Sequence, residues 1–303
     1  MAKAAPVHPK RVLLLVGAHK TASTHLQRAI AAQKDVLREL GIGVLEPNDV
    51  RRFLAPLSYL LRDYGWRREL THLAVASAGA VCGFAPETLV VMDENILGAT
   101  EPRMLWSDDG RFYPWGPGRT ARTAELFPRS EISVGLALRD LGTFLPSAYG
   151  EAIRNGALRT WEGWLGGIDP TGLRWSPTAK ALSDAVAPAP LTVWRFEDYP
   201  QIAPVVLDRL LGENAAARIP LPPEPQRVGL SADAIGAVRR HLEAGGDPGD
   251  RGALERAMRQ HPRGPDAPGF RPFNSATLEW LTEAYRQDVD AIAALPRTTV
   301  LAP

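Results

Sequence analysis

The chain has 303 residues, enough for one large α/β domain or two small ones, and a core of this size can be buried without disulfides or metals. Hydrophobic residues make up 45% and charged residues 23%, and the net charge is +1, so no overall field favours nucleic acid or a membrane surface. The single cysteine, Cys82, excludes a disulfide framework and a cysteine-rich zinc site.

The termini and apolar runs give no sign of membrane targeting. The first ten residues lack the apolar core of a signal peptide, and no apolar run approaches the roughly 20 residues of a membrane span. We therefore expect a soluble, cytoplasmic protein with no nucleic-acid partner. Because the net charge is close to zero, any anion site must be built locally.

Apolar segments of strand length alternate with helical patterns along most of the chain. The predicted strands are residues 11–16, 43–47, 88–95, 131–140 and 190–200. The predicted helices are residues 24–40, two or three helices within 49–80, and residues 144–156, 202–212 and 275–292. Within 49–80 the residues expected to face inward are Leu60, Leu61, Leu70, Leu73 and Val75. This alternation predicts an α/β fold, with three α/β/α layers around a mostly parallel sheet of about five strands.

Two segments do not fit the alternation. Residues 98–119 contain Trp106, Tyr113 and Trp115 among several glycines and prolines, and we expect a long loop over the site. Residues 244–272 are also rich in glycine and proline.

Polar side chains follow the predicted strands, at the sheet edge where ligands bind in parallel α/β proteins. They are Lys20, Asp93, Glu94, Arg139 and Glu197. We interpret Glu197 as structural, as a partner for Arg195 or for a loop amide.

The sequence Gly-Ala-His-Lys-Thr-Ala-Ser-Thr, residues 17–24, joins the first strand to its helix and predicts an anion site. Backbone N–H groups and the helix dipole favour an anion there. The ammonium of Lys20 and the hydroxyls of Thr21, Ser23 and Thr24 add to it. An ATP or GTP loop requires G-x-x-x-x-G-K-[ST]. Here Lys20 follows the glycine by only three residues, so the loop is too short to wrap a β-phosphate in that way.

A P-loop nucleotide kinase or hydrolase using ATP and magnesium is nevertheless one alternative. The apolar run that begins at residue 88 ends in Asp93 and Glu94, which is the pattern of a magnesium-holding strand in those enzymes. Asp93 would then hold the metal ion.

Another family matches more of the chain. Residues 17–27, GAHKTASTHLQ, resemble the 5′-phosphosulfate loop of sulfotransferases that use 3′-phosphoadenosine-5′-phosphosulfate (PAPS), in the bacterial form H-K-T-G-T-T-x-x-Q. The stretch LALRDLGTFLPSAY resembles the family's 3′-phosphate motif, with Ser147 eight positions after Arg139. The stretch VWRFEDYP, residues 193–200, is similar to the RYED strand end of the same family. The matches occur in the family's order.

The resemblance implies a single P-loop-like α/β domain over residues 1–303, helical from about residue 226, with PAPS across the strand ends and no metal. The cofactor-binding residues would be Gly17, His19, Lys20, Thr21, Ala22, Ser23, Thr24, Arg139 and Ser147. Lys20 would stabilise the charge on the departing 5′-phosphate oxygen, and Arg139 would pair with the 3′-phosphate. For the base that deprotonates the acceptor, Glu94 is the first choice, followed by Asp93 and by His19.

The chain departs from the family pattern in its loop and near its C-terminus. Ala22 replaces the loop glycine, so we expect a loop conformation that alanine tolerates. The C-terminal R-K-G-x-x-G-D-W-K motif of cytosolic animal enzymes is absent, and the basic segment 261–270 is the candidate to replace it. An inactive sulfotransferase-like binding module is therefore a further alternative.

The acceptor itself is not specified by these motifs. The resemblance implies a hydroxyl or an amine, carried by a small molecule, a lipid or a sugar, and we expect the 98–119 loop to select it. The protein would be a monomer or a homodimer, with residues 209–230 and the C-terminal helix as the candidate dimer face.

Overall fold

Six parallel strands form one sheet in the computed structural model, which describes residues 7–61, 67–213, 215–222, 229–264 and 266–303. The strands are β1 (Arg11–Leu15), β2 (Ile42–Leu45), β3 (Thr88–Met92), β4 (Glu131–Leu138), β5 (Leu191–Arg195) and β6 (Thr298–Leu301). Their spatial order is β2-β3-β1-β4-β5-β6, and all neighbours are parallel. The predicted parallel sheet is confirmed, with β6 as a strand that the sequence analysis missed.

Helices cover both faces of the sheet, so the predicted three-layer α/β/α fold is confirmed. Over the described residues the α-helices are α1 (Ser23–Ala31), α2 (Lys34–Glu39), α3 (Pro47–Asp49), α4 (Ala55–Leu60), α5 (Arg67–Cys82), α6 (Pro102–Leu105), α7 (Gly116–Glu125), α8 (Leu141–Asn155), α9 (Trp161–Leu165), α10 (Ser176–Ala185), α11 (Tyr199–Leu211), α12 (Ala215–Arg218), α13 (Ala232–Glu243), α14 (Arg251–Gln260) and α15 (Ser275–Ala293). A π-helical turn spans Val50–Leu54, and 3₁₀ turns span Glu94–Ile96 and Pro170–Gly172. Within these described segments, no helix has the length and apolar character needed to cross a membrane.

The side chains of β1 alternate between two apolar cores, one on each face of the sheet. Leu13 and Leu15 belong to the core that also contains buried side chains of α1, α2 and α11. Val12 and Leu14 belong to the larger core, which contains buried side chains of α5, α8, α10 and α15. Because both faces of β1 are buried, its sequence is a continuous apolar run.

Two details of the helices before β3 differ from the prediction. The single helix expected over 24–40 is wrong, because a turn at residues 32–33 separates α1 from α2. The turn allows Ile30 and Leu37 to enter the same core. Leu60 and Leu73 were expected to face inward, but they are 47% and 50% exposed.

Residues 98–119 do not form a loop over the site. Trp106 is buried and packs edge-to-face on Trp164 with ring centroids 4.7 Å apart. Phe112 stacks on Trp175 at 4.4 Å. The aromatic side chains of this segment therefore belong to the core, although Trp115 remains 59% exposed.

The C-terminal part returns to the sheet. The Gly/Pro-rich segment 244–272 contains α14, whose first turn is capped by the Asp250 carboxylate accepting from the Ala253 N–H at 3.0 Å. The helix predicted over 275–292 is confirmed as α15. Of the predicted dimer face 209–230, residues 214 and 223–228 lie outside the described residues.

A buried carboxylate attaches α15 to the start of α10. Asp288 of α15 is 5% exposed, and its side chain accepts hydrogen bonds from the backbone N–H groups of Trp175 (2.5 Å) and Ser176 (3.0 Å). The N-terminus of α10 has no capping side chain of its own at Trp175, so Asp288 supplies this cap from a distant helix.

We predict that Asp288→Ala lowers the free energy of unfolding by about 2–4 kcal/mol, because it leaves the buried Trp175 N–H and the partly buried Ser176 N–H without their acceptor. Urea denaturation followed by circular dichroism measures this change. Asp290→Ala on the same helix is the control, since its exposed ion pair with Arg286 is worth at most about 1 kcal/mol. Equal losses in the two variants would contradict the prediction.

Candidate active site

The loop between β1 and α1, residues 16–22, is held against β4 beyond the end of the strand. The Ala18 N–H donates to the Ala137 carbonyl at 3.2 Å. The buried Thr21 hydroxyl donates to the Ala18 carbonyl at 2.5 Å, which closes the loop on itself. The Thr21 side chain therefore stabilises the loop from within.

Two residues of this loop have left-handed backbone conformations. The φ angle is 63° at Lys20 and 62° at Ala22. For a residue other than glycine this conformation costs roughly 1–2 kcal/mol. We expected a loop conformation that alanine tolerates, and the structure instead places Ala22 in the left-handed conformation that glycine favours.

Helix α1 begins directly after Ala22. No side chain caps this end, and the His25 N–H donates to the Ala22 carbonyl at 2.9 Å. Ser23 and Thr24 occupy the first two helical positions, where backbone N–H groups have no acceptor within the helix. Together with the helix dipole, these groups favour a bound anion.

Lys20 contacts the segment formed by β4 and α8 through both its backbone carbonyl and its side-chain ammonium. Its carbonyl accepts a hydrogen bond from Arg139 Nη1 at 2.8 Å. Its Nζ lies 3.3 Å from Oε2 of Glu151, and the two side chains are only 14% and 10% exposed. The sequence analysis missed Glu151, although its position four residues after Ser147 places the two on the same face of α8.

Arg139 is fixed at the mouth of the site by further contacts. Its Nε donates to Thr143 Oγ1 at 2.9 Å, and its guanidinium carbon lies 4.3 Å from the centre of the Phe196 ring. Burial lowers the pKa of Arg139, and the negative charges of nearby Glu197 and Asp140 partly oppose this decrease. Thr143 lies one helical turn before Ser147, and all three residues line the cleft described below.

Glu197 holds the start of α8 in place. Its Oε1 accepts from the Asp140 N–H at 2.9 Å, and its Oε2 accepts from the Tyr285 hydroxyl at 3.2 Å. Arg195 instead pairs with Asp198 at 2.6 Å. Of the two structural partners considered for Glu197, the loop amide is the one observed.

The two acids after β3 have different environments. Asp93 is buried and accepts two hydrogen bonds from Arg51, from Nε to Oδ2 at 3.1 Å and from Nη2 to Oδ1 at 2.7 Å. Burial raises the pKa of Asp93, and Arg51 opposes that rise. Glu94 instead accepts from Gln27 Nε2 at 2.9 Å. The sequence analysis assigned no role to Arg51 or Gln27, although Gln27 is the last residue of the loop motif.

The two acids also face different cavities. Asp93 lines a cavity of about 320 Å³ together with Arg51, whereas Glu94 lines the larger cleft described below. Over the described ranges, no group of three or more His, Cys, Asp or Glu side chains is arranged to hold a metal ion.

His19 supports the loop from behind. Its Nδ1 lies 2.9 Å from the Tyr113 hydroxyl oxygen, which also accepts the His19 backbone N–H at 3.2 Å. Its Nε2 lies 3.0 Å from the side-chain amide of Asn95. Burial lowers the pKa of His19. Since both ring nitrogens have protein partners, His19 is poorly placed to deprotonate an acceptor.

A cleft of about 710 Å³ opens where these elements meet. Its volume is within the range of small-molecule sites, about 300–1,000 Å³. The sequence-predicted site residues that line it are His19, Lys20, Ala22, Ser23, Thr24, Glu94, Arg139 and Ser147. Gly17 and Thr21 do not line it and contribute to the loop itself. No residue of segment 98–119 lines the cleft either, so that segment is not a wall of it.

The opposite wall comes from the C-terminal part of the chain. The basic segment 261–270 reaches the cleft through Arg263 and Phe270, and Arg271 follows directly. The cationic side chains that line the cleft are Lys20, Arg139, Arg154, Arg263 and Arg271, and the carboxylates are Glu94 and Glu151. The excess of positive charge suits a ligand with several negative charges.

We predict that Ala22→Gly leaves the free energy of unfolding unchanged or raises it by up to about 1 kcal/mol. The relief of left-handed strain, roughly 1–2 kcal/mol, exceeds the entropic cost of a glycine, about 0.5–1 kcal/mol. Urea denaturation tests this, with Ala29→Gly inside α1 as the control. The control is expected to lose about 1 kcal/mol or more. A comparable loss in the Ala22 variant would show that no strain is relieved.

No family model matches the chain, and no curated protein sequence matches it. Among solved structures, the chain is similar to the sulfotransferase from Alicyclobacillus acidocaldarius, with a TM-score of 0.44 and 14% sequence identity. The match covers 97% of each chain. At that TM-score the similarity does not bear on the fold or the activity of this protein.

Proposed function

We propose that the chain is a sulfotransferase that transfers a sulfuryl group from PAPS to a hydroxyl or amine acceptor. The observation that carries the proposal is the hydrogen bond from Arg139 Nη1 to the Lys20 carbonyl, 2.8 Å long. It joins the stretch that resembles a 5′-phosphosulfate loop to the stretch that resembles a 3′-phosphate motif. Both motifs therefore face one cleft, as a ligand with phosphate groups at both positions requires.

The polar groups of the cleft fit such a donor in kind and in position. The N–H groups and hydroxyls of Ser23 and Thr24 are suited to the oxygens of the 5′-phosphosulfate. Arg139 and Ser147 are assigned to the 3′-phosphate, which an arginine can bind through paired hydrogen bonds. Arg263 and Arg271 face them from the C-terminal segment and can add positive charge.

PAPS supplies an activated sulfuryl group with a good leaving group. In the transfer, a bond forms between the acceptor atom and sulfur while the bond from sulfur to the 5′-phosphate oxygen breaks. Lys20 stabilises the negative charge that develops on that oxygen. A preorganised group of this kind typically contributes roughly 10²–10³ in rate.

We assign Glu94 as the general base that removes the proton from the hydroxyl or amine of the acceptor. It lines the cleft, and Gln27 orients its carboxylate from the first turns of α1. The acceptor itself is proposed only as a hydroxyl or amine on a small molecule, a lipid or a sugar.

The alternative of a magnesium-dependent kinase receives less support. Such an enzyme needs Asp93 to hold the metal ion, but both carboxylate oxygens of Asp93 accept hydrogen bonds from Arg51. Asp93 also lines the smaller cavity and not the cleft that contains Lys20.

We predict that the protein binds 3′-phosphoadenosine 5′-phosphate more tightly than adenosine 5′-phosphate and that Arg139→Ala removes the difference. Loss of a charged hydrogen-bonding partner costs about 1.5–3 kcal/mol, so the affinity ratio should fall about 10- to 100-fold. Isothermal titration calorimetry in the presence of EDTA measures it. Arg195→Ala is the control, because this strand-end arginine pairs with Asp198 away from the cleft.

A parallel titration with ATP and magnesium, without EDTA, decides between the alternatives. Tight binding of ATP with magnesium in place of 3′-phosphoadenosine 5′-phosphate would overturn the proposal in favour of a kinase. Binding of neither nucleotide would favour an inactive binding module.

We predict that Glu94→Gln lowers kcat by about 10²–10⁴-fold, the usual contribution of a general base, with little change in nucleotide affinity. Asp93→Asn is the comparison, since it weakens the buried pair with Arg51 and should instead lower the free energy of unfolding. Transfer from PAPS is measured with a panel of hydroxyl and amine acceptors. Wild-type turnover in the Glu94 variant would refute the assigned role.

A further inference from the structure

We propose that Glu151 is a positioning residue. It holds the Lys20 ammonium at the cleft until the anionic donor binds and replaces Glu151 as the partner of that ammonium. This inference rests on the proposed function, because it assigns a regulator to the lysine that the transfer reaction uses. It concerns a residue that none of the sequence motifs contains.

The geometry of the pair carries the inference. Nζ of Lys20 lies 3.3 Å from Oε2 of Glu151, and both side chains line the cleft while remaining mostly shielded from solvent. The other oxygen of Glu151, Oε1, accepts from Asn155 Nδ2 at 2.9 Å, one turn further along α8. The carboxylate is therefore oriented by its own helix and offers a defined position to the lysine.

The backbone of Lys20 is fixed by the same structural unit. Its carbonyl accepts from Arg139, at the end of β4, and its φ angle is 63°. Arg139, just before α8, thus binds the backbone carbonyl of Lys20, and Glu151, within α8, binds its ammonium. The ammonium can leave Glu151 by side-chain rotation while the carbonyl remains bound.

Stability alone is a poor explanation for this pair. The desolvation of two charges offsets much of the Coulomb attraction between shielded partners, so such pairs contribute little net stability. In addition, the carboxylate stands in a cleft whose ligand is proposed to be a polyanion. A negative charge there opposes donor binding unless the lysine turns from Glu151 to the donor.

This arrangement predicts opposite effects on binding and turnover. Without the Glu151 charge, the nucleotide should bind more tightly, because repulsion disappears and Lys20 is already released. Turnover should fall, because the ammonium is no longer delivered from a defined position. A residue needed only for folding would weaken binding and turnover together.

The first experiment needs no nucleotide. Each protein is treated with an acetylating ester, and labelling of Lys20 relative to Lys34 is quantified by mass spectrometry. Glu151→Gln should raise labelling of Lys20 about five- to tenfold, the equivalent of an ion pair of about 1 kcal/mol or slightly more. Glu101→Gln is the control, since Glu101 pairs with Arg159 outside the cleft lining. Equal labelling of Lys20 in the wild type and in Glu151→Gln would overturn the inference.

Glu151→Asp keeps the charge on a shorter side chain. It should give intermediate labelling, and it provides the test if the glutamine variant does not fold. Labelling of Lys20 in this variant at the wild-type rate would also count against a defined distance between the two groups.

The second experiment compares binding with turnover. Glu151→Gln should bind 3′-phosphoadenosine 5′-phosphate about three- to tenfold more tightly and reduce kcat at least about tenfold. In a Lys20→Ala background the same substitution should leave kcat unchanged, because Glu151 acts through Lys20. Additive losses in kcat, or weaker binding, would overturn the positioning role. Failure of the wild type to bind the nucleotide, combined with the expected labelling, would refute the proposed function while leaving the Lys20–Glu151 contact established.

Discussion

The hydrogen bond from Arg139 to the Lys20 carbonyl is the constraint on which the rest of the site depends. β1 and β4 are adjacent parallel strands, so the loops that follow them arrive at the same sheet edge. From there the chain continues to β2 on one side and to β5 on the other. This is the topological switch point at which parallel α/β sheets open a crevice. The hydrogen bond joins the loop after β1 to the residue after β4 and so fixes the distance between the two segments at the base of that crevice.

Around this crevice, each acidic side chain is held by a polar or cationic partner from another element. Arg51 engages Asp93, Lys20 engages Glu151, and Gln27 engages Glu94. Arg51 also lies 3.9 Å from Glu94, so Asp93 and Glu94 share one arginine while Glu94 has an additional partner in Gln27. Two acids that are neighbours in the sequence, at 93 and 94, nevertheless line different cavities, Asp93 the smaller one and Glu94 the cleft.

The sequence was sufficient for the sheet and for part of the site. Buried parallel strands are continuous apolar runs, and this predicted five of the six strands, whereas the short, partly exposed β6 gave no such signal. The resemblance to two sulfotransferase motifs singled out Lys20, Arg139 and Ser147, and all three line the cleft, while their roles there stay a prediction. Glu151 could not be found in that way, since its contact with the lysine spans 131 positions. Segment 98–119 was misinterpreted because its glycines and prolines obscured the buried aromatic residues.

Ala22 has the left-handed backbone conformation that usually indicates a glycine. A search pattern that demands glycine there would reject this loop, although its dihedral angles meet the requirement. Exchange between glycine and alanine at this position is a small energetic step. Position 20 has the same backbone shape, but glycine there would also remove the ammonium that the proposed transfer uses. Of two residues with one backbone conformation, the side chain is therefore dispensable at position 22 and essential to the proposal at position 20.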